Sequence, residues 1–235
     1  MGALIASGMH PATPTDAAAR LADVGNAISR IALLASRDPQ DITLIAVSKT
    51  HDAPDIQPLI EAGQRVFGEN RVQEAQGKWP SLREKTPGIA LHLVGQLQSN
   101  KAADAVALFD VIHSLDRPSL LTALARAMDN AGRKVPCFIQ VNIGAEAQKG
   151  GCAIGDVPSL IAQARAADVP VAGLMCVPPA DVEAAPYFAL LAKMAREEGV
   201  SGLSMGMSAD YETAIMLGAT HVRVGTALFG ARPPA

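Results

Sequence analysis

The sequence predicts a single (β/α)₈ TIM barrel preceded by one extra helix. Three observations carry this expectation. Eight short apolar runs each give way to a polar turn and then a helical pattern, the alternation of a parallel α/β fold. The 235 residues are 49% hydrophobic but only 3% aromatic, which suits one domain with an aliphatic core. No GxGxxG follows the first strand, so the rival fold, an open doubly wound sheet holding a dinucleotide, gains no support.

The elements follow in order. Residues 1–14 are small, proline-containing and aperiodic, and are expected to form a flexible arm before a barrel domain over 15–235. Residues 16–36 read as a helix, because Leu21, Val24, Ile28, Ile31 and Leu34 recur at helical spacing. Asp38-Pro39 ends it. The run Ile42-Thr43-Leu44-Ile45-Ala46-Val47-Ser48-Lys49 suits a buried strand that stops on a lysine. Asp52 as N-cap and Pro54 in the first turn then start a helix to residue 62. Later strands are expected at 65–68, 90–95, 111–115, 135–142, 169–175, 202–206 and 221–225. Helices are expected at 71–85, 99–108, 118–131, 158–167, 182–198 and 209–217, with a short one near Ala227.

Composition excludes several function classes. The net charge is −3 and no basic block stands out, so neither a nucleic-acid surface nor an anionic-membrane surface is expected. No stretch is long enough to span a bilayer. The first ten residues lack the basic start of a signal peptide. Cys137, Cys152 and Cys176 are odd in number and widely spread, as reduced thiols of a cytoplasmic protein would be. The five histidines show no metal-ligand spacing, and His113 alone is a mild site candidate. Nothing resembles a P-loop or a GxSxG elbow.

In a barrel the strand C-termini share one mouth, where sites are built. Lys49, Asn70, Gln96, His113, Asn142, Met175, Ser208 and Thr226 fall at or just past those ends. Desolvation at such a place lowers a lysine's pKa and favours the free amine that attacks aldehydes. The last two units, Leu203-Ser204-Met205-Gly206-Met207-Ser208 and Val222-Arg223-Val224-Gly225-Thr226, put glycine and hydroxyl residues where barrels often bind phosphate. Ordinary helix capping by Ser208 and Thr226 is the bland alternative. Both together, with Lys49 across the mouth, favour a phosphorylated aldehyde as ligand. Arg223 alternates with Val222 and Val224, so it faces either outward to an ion pair or inward to the ligand.

A set of ordered segments resembles the pyridoxal phosphate homeostasis family. They are Ala46-Val47-Ser48-Lys49, Phe67-Gly68-Glu69-Asn70-Arg71-Val72-Gln73-Glu74, His92-Leu93-Val94-Gly95 with Gln98-Ser99-Asn100-Lys101, and His113-Ser114-Leu115-Asp116. Asn142 with Glu146, Lys149 and Gly151, then Gly173-Leu174-Met175, the two terminal motifs above and Phe229-Gly230-Ala231-Arg232 complete it. The resemblance covers about residues 20–232 and is specific as a set. It implies a barrel like the N-terminal domain of alanine racemase, carrying pyridoxal 5′-phosphate (PLP). Lys49 matches the Schiff-base lysine and Asn70 a residue lining the cofactor. Ser208, Gly225 and Thr226 match phosphate contacts, and Arg223 matches the arginine facing the pyridine nitrogen.

The implied function is intracellular PLP balance without robust turnover. The other readings are a racemase-like PLP enzyme and, more weakly, a PLP-free Schiff-base aldolase. PLP catalysis usually needs a protonated ring nitrogen held by a carboxylate, and an arginine cannot accept that proton. A two-base racemase also needs a second acid/base, which in alanine racemase is a tyrosine from a second domain that this chain is not expected to have. The expected partners are PLP and the apo forms of PLP-dependent enzymes. The barrel, with no large apolar stripe, is expected to be a monomer.

Overall fold

Thr43 of the first strand lies beside His221 of the last, and that pairing closes the sheet. The computed structural model describes residues 14–230, so the expected arm, Pro14 apart, lies outside the described residues. The strands are β1 (Thr43–Val47), β2 (Val66–Glu69), β3 (Ala90–Leu93), β4 (Val111–Leu115), β5 (Cys137–Val141), β6 (Val171–Cys176), β7 (Gly202–Met207) and β8 (His221–Val224). They pair in parallel in sequence order and form a closed barrel, which rules out the open sheet.

Helices follow the strands: α2 (Ala53–Glu61), α3 (Val72–Lys85), α4 (Ala102–Leu108), α5 (Pro118–Ala131), α6 (Val157–Ala166), α7 (Ala185–Glu197), α8 (Tyr211–Met216) and α9 (Thr226–Phe229). The extra helix, α1 (Pro14–Leu34), buries Ala17, Val24, Ile28 and Ile31 and packs against α2, α8 and α9. Leu34 departs from the expected stripe and is 65% exposed, while Ala32 is buried. The helix ends at Leu34, and Ser36 with φ 55° turns the chain away. Arg20 Nε donates to Leu228 O at 2.7 Å, and Arg37 Nη1 donates to Ala219 O at 2.8 Å and Ile215 O at 3.1 Å. The N-terminal segment is thereby fastened to the last two units.

The continuous apolar core fills the ring between strands and helices, as a parallel sheet covered by helices requires. Ala46, Phe67, Ile112, Ile139, Leu174 and Val222 face outward into it. The barrel interior has a different character. Ile45, Phe138 and Met175 share it with His92, His113, Ser204, His221 and Arg223. The His113 ring stacks on Phe138 at 4.4 Å, and His221 meets Phe138 edge-on at 5.0 Å. The three cysteines are unpaired and buried, and burial pushes each thiol up to about 12.

Burial keeps these histidines neutral. It lowers His92 from 6.5 to about 3, helped by the neighbouring His221, and His221 from 6.5 to about 4, helped by Arg223. His113 lies well below its ordinary value, again chiefly through burial. Below the ordinary histidine pKa the unfolded chain takes up protons that the barrel refuses, so stability falls as pH drops. The loss runs from 6.5 down toward about 4 and about 3 for His221 and His92. Each histidine contributes up to about 1.4 kcal/mol per pH unit in that window. Urea unfolding at about pH 7.5 and about pH 5.5 should show lower stability at the lower pH. His221→Gln should shrink the difference; an unchanged difference would remove His221 as a source.

Candidate functional site

At the C-terminal mouth lies a cavity of about 470 Å³, within the roughly 300–1,000 Å³ typical of small-molecule sites. Lys49, Asn70, Ser208, Arg223, Gly225 and Thr226, six residues from the ends of four strands, β1, β2, β7 and β8, all line it. Val47, Val94, Met175 and Val177 supply apolar wall. Among the described residues no carboxylate lines it, so the polar set is an ammonium, a guanidinium, the His51 imidazole, the Asn70 amide, hydroxyls and backbone N–H groups. That chemistry fits an anionic ligand with an aldehyde for the lysine, and therefore fits PLP.

Lys49 stands two residues past β1, in a turn where Thr50 takes φ 66°. This turn is held from beneath by β2 and α3. Lys78 Nζ donates to Ser48 O at 2.9 Å and His51 O at 2.8 Å, the carbonyls on either side of the turn. The same ammonium pairs with Glu69 Oε1 at 2.9 Å and Glu74 Oε1 at 2.9 Å. Glu69, fully buried, also accepts from Ser48 Oγ at 2.6 Å and Trp79 Nε1 at 2.9 Å. Glu74 Oε1 accepts the Thr50 N–H at 2.6 Å. Burial works against the Glu74 charge, but the Lys78 and Thr50 hydrogen bonds outweigh it and hold its pKa below the usual range. Much of the Phe67 to Glu74 motif is thus scaffold for the lysine turn. Sequence reasoning missed Glu69, Lys78 and Trp79. The available signal was a carboxylate closing an otherwise apolar strand.

The wall on the other side of the β1–β8 seam is built by β8 and β7. Gly206 takes φ 91°, and a Cβ there would meet Ala214 Cβ at 2.6 Å, so only glycine fits where β7 shifts register against β8. Beyond it Ser208 comes beside Gly225, whose N–H donates to Ser208 Oγ at 3.3 Å. The N-caps of α8 and α9 are Asp210 and Gly225, so neither Ser208 nor Thr226 stands at a capping position. These helices have only six and four residues. An anion held here would rest on individual N–H and hydroxyl donors more than on a helix dipole. Gly95 closes the mouth near Asn70; a Cβ at Gly95 would lie 2.3 Å from Asn70 O.

Arg223 faces inward, which settles the orientation left open by the sequence. It is 5% exposed, with Nη1 donating to Ser204 Oγ at 2.7 Å and Nη2 to Cys176 O at 2.8 Å. Burial lowers its pKa, yet a guanidinium stays charged in any protein. Three expected mouth residues lie elsewhere. His113 sits inside β4, fully buried below the cavity. Gln96 is exposed and donates to Gln140 Oε1 at 2.6 Å. Asn142 folds its own loop, donating to Glu146 O at 2.8 Å and accepting from Glu146 N at 3.0 Å.

A closed eight-stranded barrel with a lysine at its mouth and donors after β7 and β8 defines an alanine racemase-type barrel. The family model for the alanine racemase N-terminal domain matches residues 23–233. The chain belongs to the pyridoxal phosphate homeostasis protein family within that class. It is 39% identical over 221 residues to the Pseudomonas aeruginosa pyridoxal phosphate homeostasis protein, covering 92% of this chain and 95% of the relative. The Escherichia coli K12 protein of the same name is 39% identical over 232 residues, covering 92% and 97%. The structure of PipY from Synechococcus elongatus with PLP bound matches at TM-score 0.79 and 38% identity, covering 91% of this chain and 100% of that one. No described helix is long and apolar enough to cross a membrane.

The scaffold under Lys49 can be tested directly. Lys78→Met leaves Glu69 charged and buried and frees two carbonyls, and should cost about 3–5 kcal/mol of stability. Adding Glu69→Gln removes the stranded charge and should recover part of the loss in urea titrations. A double variant no more stable than Lys78→Met would mean that the carbonyl bonds, not the ion pair, carry the effect.

Proposed function

We propose that this chain binds PLP and serves its intracellular balance, with little or no turnover of its own. The observation that carries this reading is the convergence of Lys49, Arg223, Ser208 and Thr226 on one cavity without a carboxylate among the described residues. Relatives named for pyridoxal phosphate homeostasis and the PLP-bound PipY structure support it. When bound, the cofactor supplies a reactive aldehyde and an aromatic ring able to accept electron density.

In this reading Lys49 would hold the cofactor through its aldehyde, as the Schiff-base lysine that the family resemblance implies. Ser208, Gly225 and Thr226 would hold the phosphate through two hydroxyls and the adjacent backbone N–H groups. Asn70 would line the cofactor, and Arg223 would donate to the ring nitrogen. An arginine at that position remains charged and cannot take the nitrogen's proton, which weakens the ring as an electron sink and narrows the chemistry the site can support. The alternative, a racemase-like PLP enzyme, draws on the shared barrel. Such an enzyme needs a second acid/base opposite the lysine. Tyr187 lies in α7 and Tyr211 opens α8, and neither lines the cavity. Steady alanine racemisation by the purified protein at enzyme-like rates would favour this alternative. The carrier reading also includes a monomeric, cytoplasmic protein that passes PLP to apo PLP-dependent enzymes. The cytoplasmic placement draws on the three unpaired thiols.

Borohydride treatment of the PLP-loaded protein should fix the cofactor on the peptide holding Lys49, and Lys49→Ala should stay colourless after PLP is added. Label found mainly on Lys101 or Lys149 would show that another lysine is the partner.

The phosphate wall has its own test. A hydrogen bond to a charged group is worth about 1.5–3 kcal/mol, so Ser208→Ala with Thr226→Ala should weaken PLP clearly and pyridoxal hardly at all. Titrations of both ligands measure this. Equal weakening would assign the hydroxyls a structural role.

A further inference from the structure

Beneath the cavity, Arg223 is the first member of a buried hydrogen-bonded chain that runs through the barrel axis. Arg223 Nη1 lies 2.7 Å from Ser204 Oγ, Ser204 Oγ lies 2.8 Å from His113 Nδ1, and His113 Nε2 lies 3.0 Å from His92 Nδ1. Ser204 and His113 are fully buried, and His92 and Arg223 are each 5% exposed. Four residues from β8, β7, β4 and β3 thus form one polar line in the barrel interior.

The direction of this line follows from its one end that cannot titrate. A guanidinium has donors and no acceptor, so Ser204 Oγ accepts from it. Arg223 and His113 are the described partners of the Ser204 hydroxyl, so its proton goes to His113 Nδ1. His113 Nδ1 is then an acceptor, and a neutral His113 carries its proton on Nε2. That proton is donated to His92 Nδ1, which leaves the His92 proton on Nε2. The reverse direction would leave the buried Ser204 proton without a partner, which is costly. A charged His113 would present N–H groups at both ends and break the line at Ser204. Its surroundings oppose that charge: burial, then His92, His221 and Arg223, with the face of Phe138 stacked on the ring.

We infer that Ser204 and His113 are positioning residues, with His92 as terminus, that hold Arg223 as a fixed donor toward the cavity. Ser204 Oγ and the Cys176 carbonyl occupy one N–H of each terminal nitrogen of Arg223. The guanidinium therefore can neither rotate away nor be replaced by a proton-accepting arrangement. The site selects a ligand ring that presents a lone pair, an unprotonated heteroaromatic nitrogen, over one that presents N–H. This rests on the PLP reading in the identity of the ring, while the direction of the line belongs to the protein alone.

Two measurements separate these parts. Long-range ¹H–¹⁵N correlation spectra of the ligand-free, histidine-labelled wild-type protein read the tautomers with no cofactor and no variant. His113 should be neutral and protonated on Nε2 across the neutral range, with His92 Nδ1 unprotonated. An Nδ1-protonated or doubly protonated His113 overturns the proposal, whatever the protein binds. The second measurement uses PLP labelled with ¹⁵N in its ring. In the wild-type protein the ring nitrogen should resonate as a hydrogen-bonded, unprotonated pyridine. In Ser204→Ala it should move toward the protonated position, and Ser204→Thr, which keeps the hydroxyl, should restore it. An unmoved signal in folded, PLP-loaded Ser204→Ala overturns the positioning role. Failure of the wild-type protein to bind PLP would instead overturn the functional reading, and the tautomer spectra would still decide the direction of the line. If Ser204→Ala does not fold, His113→Asn, which keeps an acceptor near the Nδ1 position, should retain the wild-type ring signal; loss of it in the folded variant counts against the proposal.

Discussion

Ala46 of β1 pairs with Val224 of β8, and Thr43 with His221, so backbone hydrogen bonds join the two ends of a chain that would otherwise hold Lys49 and Thr226 far apart. The cavity exists because of this seam. Lys49 leaves β1 on one side of it, and Gly225 and Thr226 leave β8 on the other. The N-terminal segment reinforces the seam from outside, through Arg20 on Leu228 O and Arg37 on Ala219 O. An open sheet of the same elements would bury the same helices but would not face an amine across to phosphate-type donors.

The barrel interior shows how a polar filling is tolerated. Buried polar groups are stable only when satisfied. Here Arg223, Ser204, His113 and His92 satisfy one another in series, while Phe138 and Ile45 fill the remaining space. Neutral histidines suit this arrangement, since each offers one donor and one acceptor and carries no charge to desolvate. The consequence is acid sensitivity in the fold and a fixed donor at the floor of the site.

The wall beneath Lys49 follows another principle. Glu69 and Lys78 form a buried ion pair, which contributes little net stability compared with an apolar pair but is costly to break. Its placement between β2, α3 and the 48–51 turn ties the turn's backbone to a rigid helix. Thr50 can therefore hold φ 66°, a conformation a loose turn of this sequence would leave.

The sequence by itself determined the strand–helix rhythm, the extra helix, and several of the residues that line the mouth, because those depend on local periodicity and on the rule that strand ends share one edge. Lys49, Asn70, Ser208, Gly225 and Thr226 were legible for that reason, and the ordered motifs pointed to the family. The sequence favoured a closed barrel over an open sheet, and the pairing of β1 with β8 decides it, because both folds have the same alternation and differ only in whether those strands meet. Alternation left the face of Arg223 undecided, since it says which residues share a face, not which face is inside, and only the family resemblance pointed inward. His113 looked like a mouth residue from its motif, but its place inside β4 sets it below the cavity. The partnership of Lys78 with Glu69 crosses from a strand to the helix after it, and that of His92 with Ser204 through His113 joins residues far apart in sequence; neither spacing carries a signal. Only the packing of α3 on β2, and the convergence of β3, β4, β7 and β8 on one axis, brings them within hydrogen-bond reach.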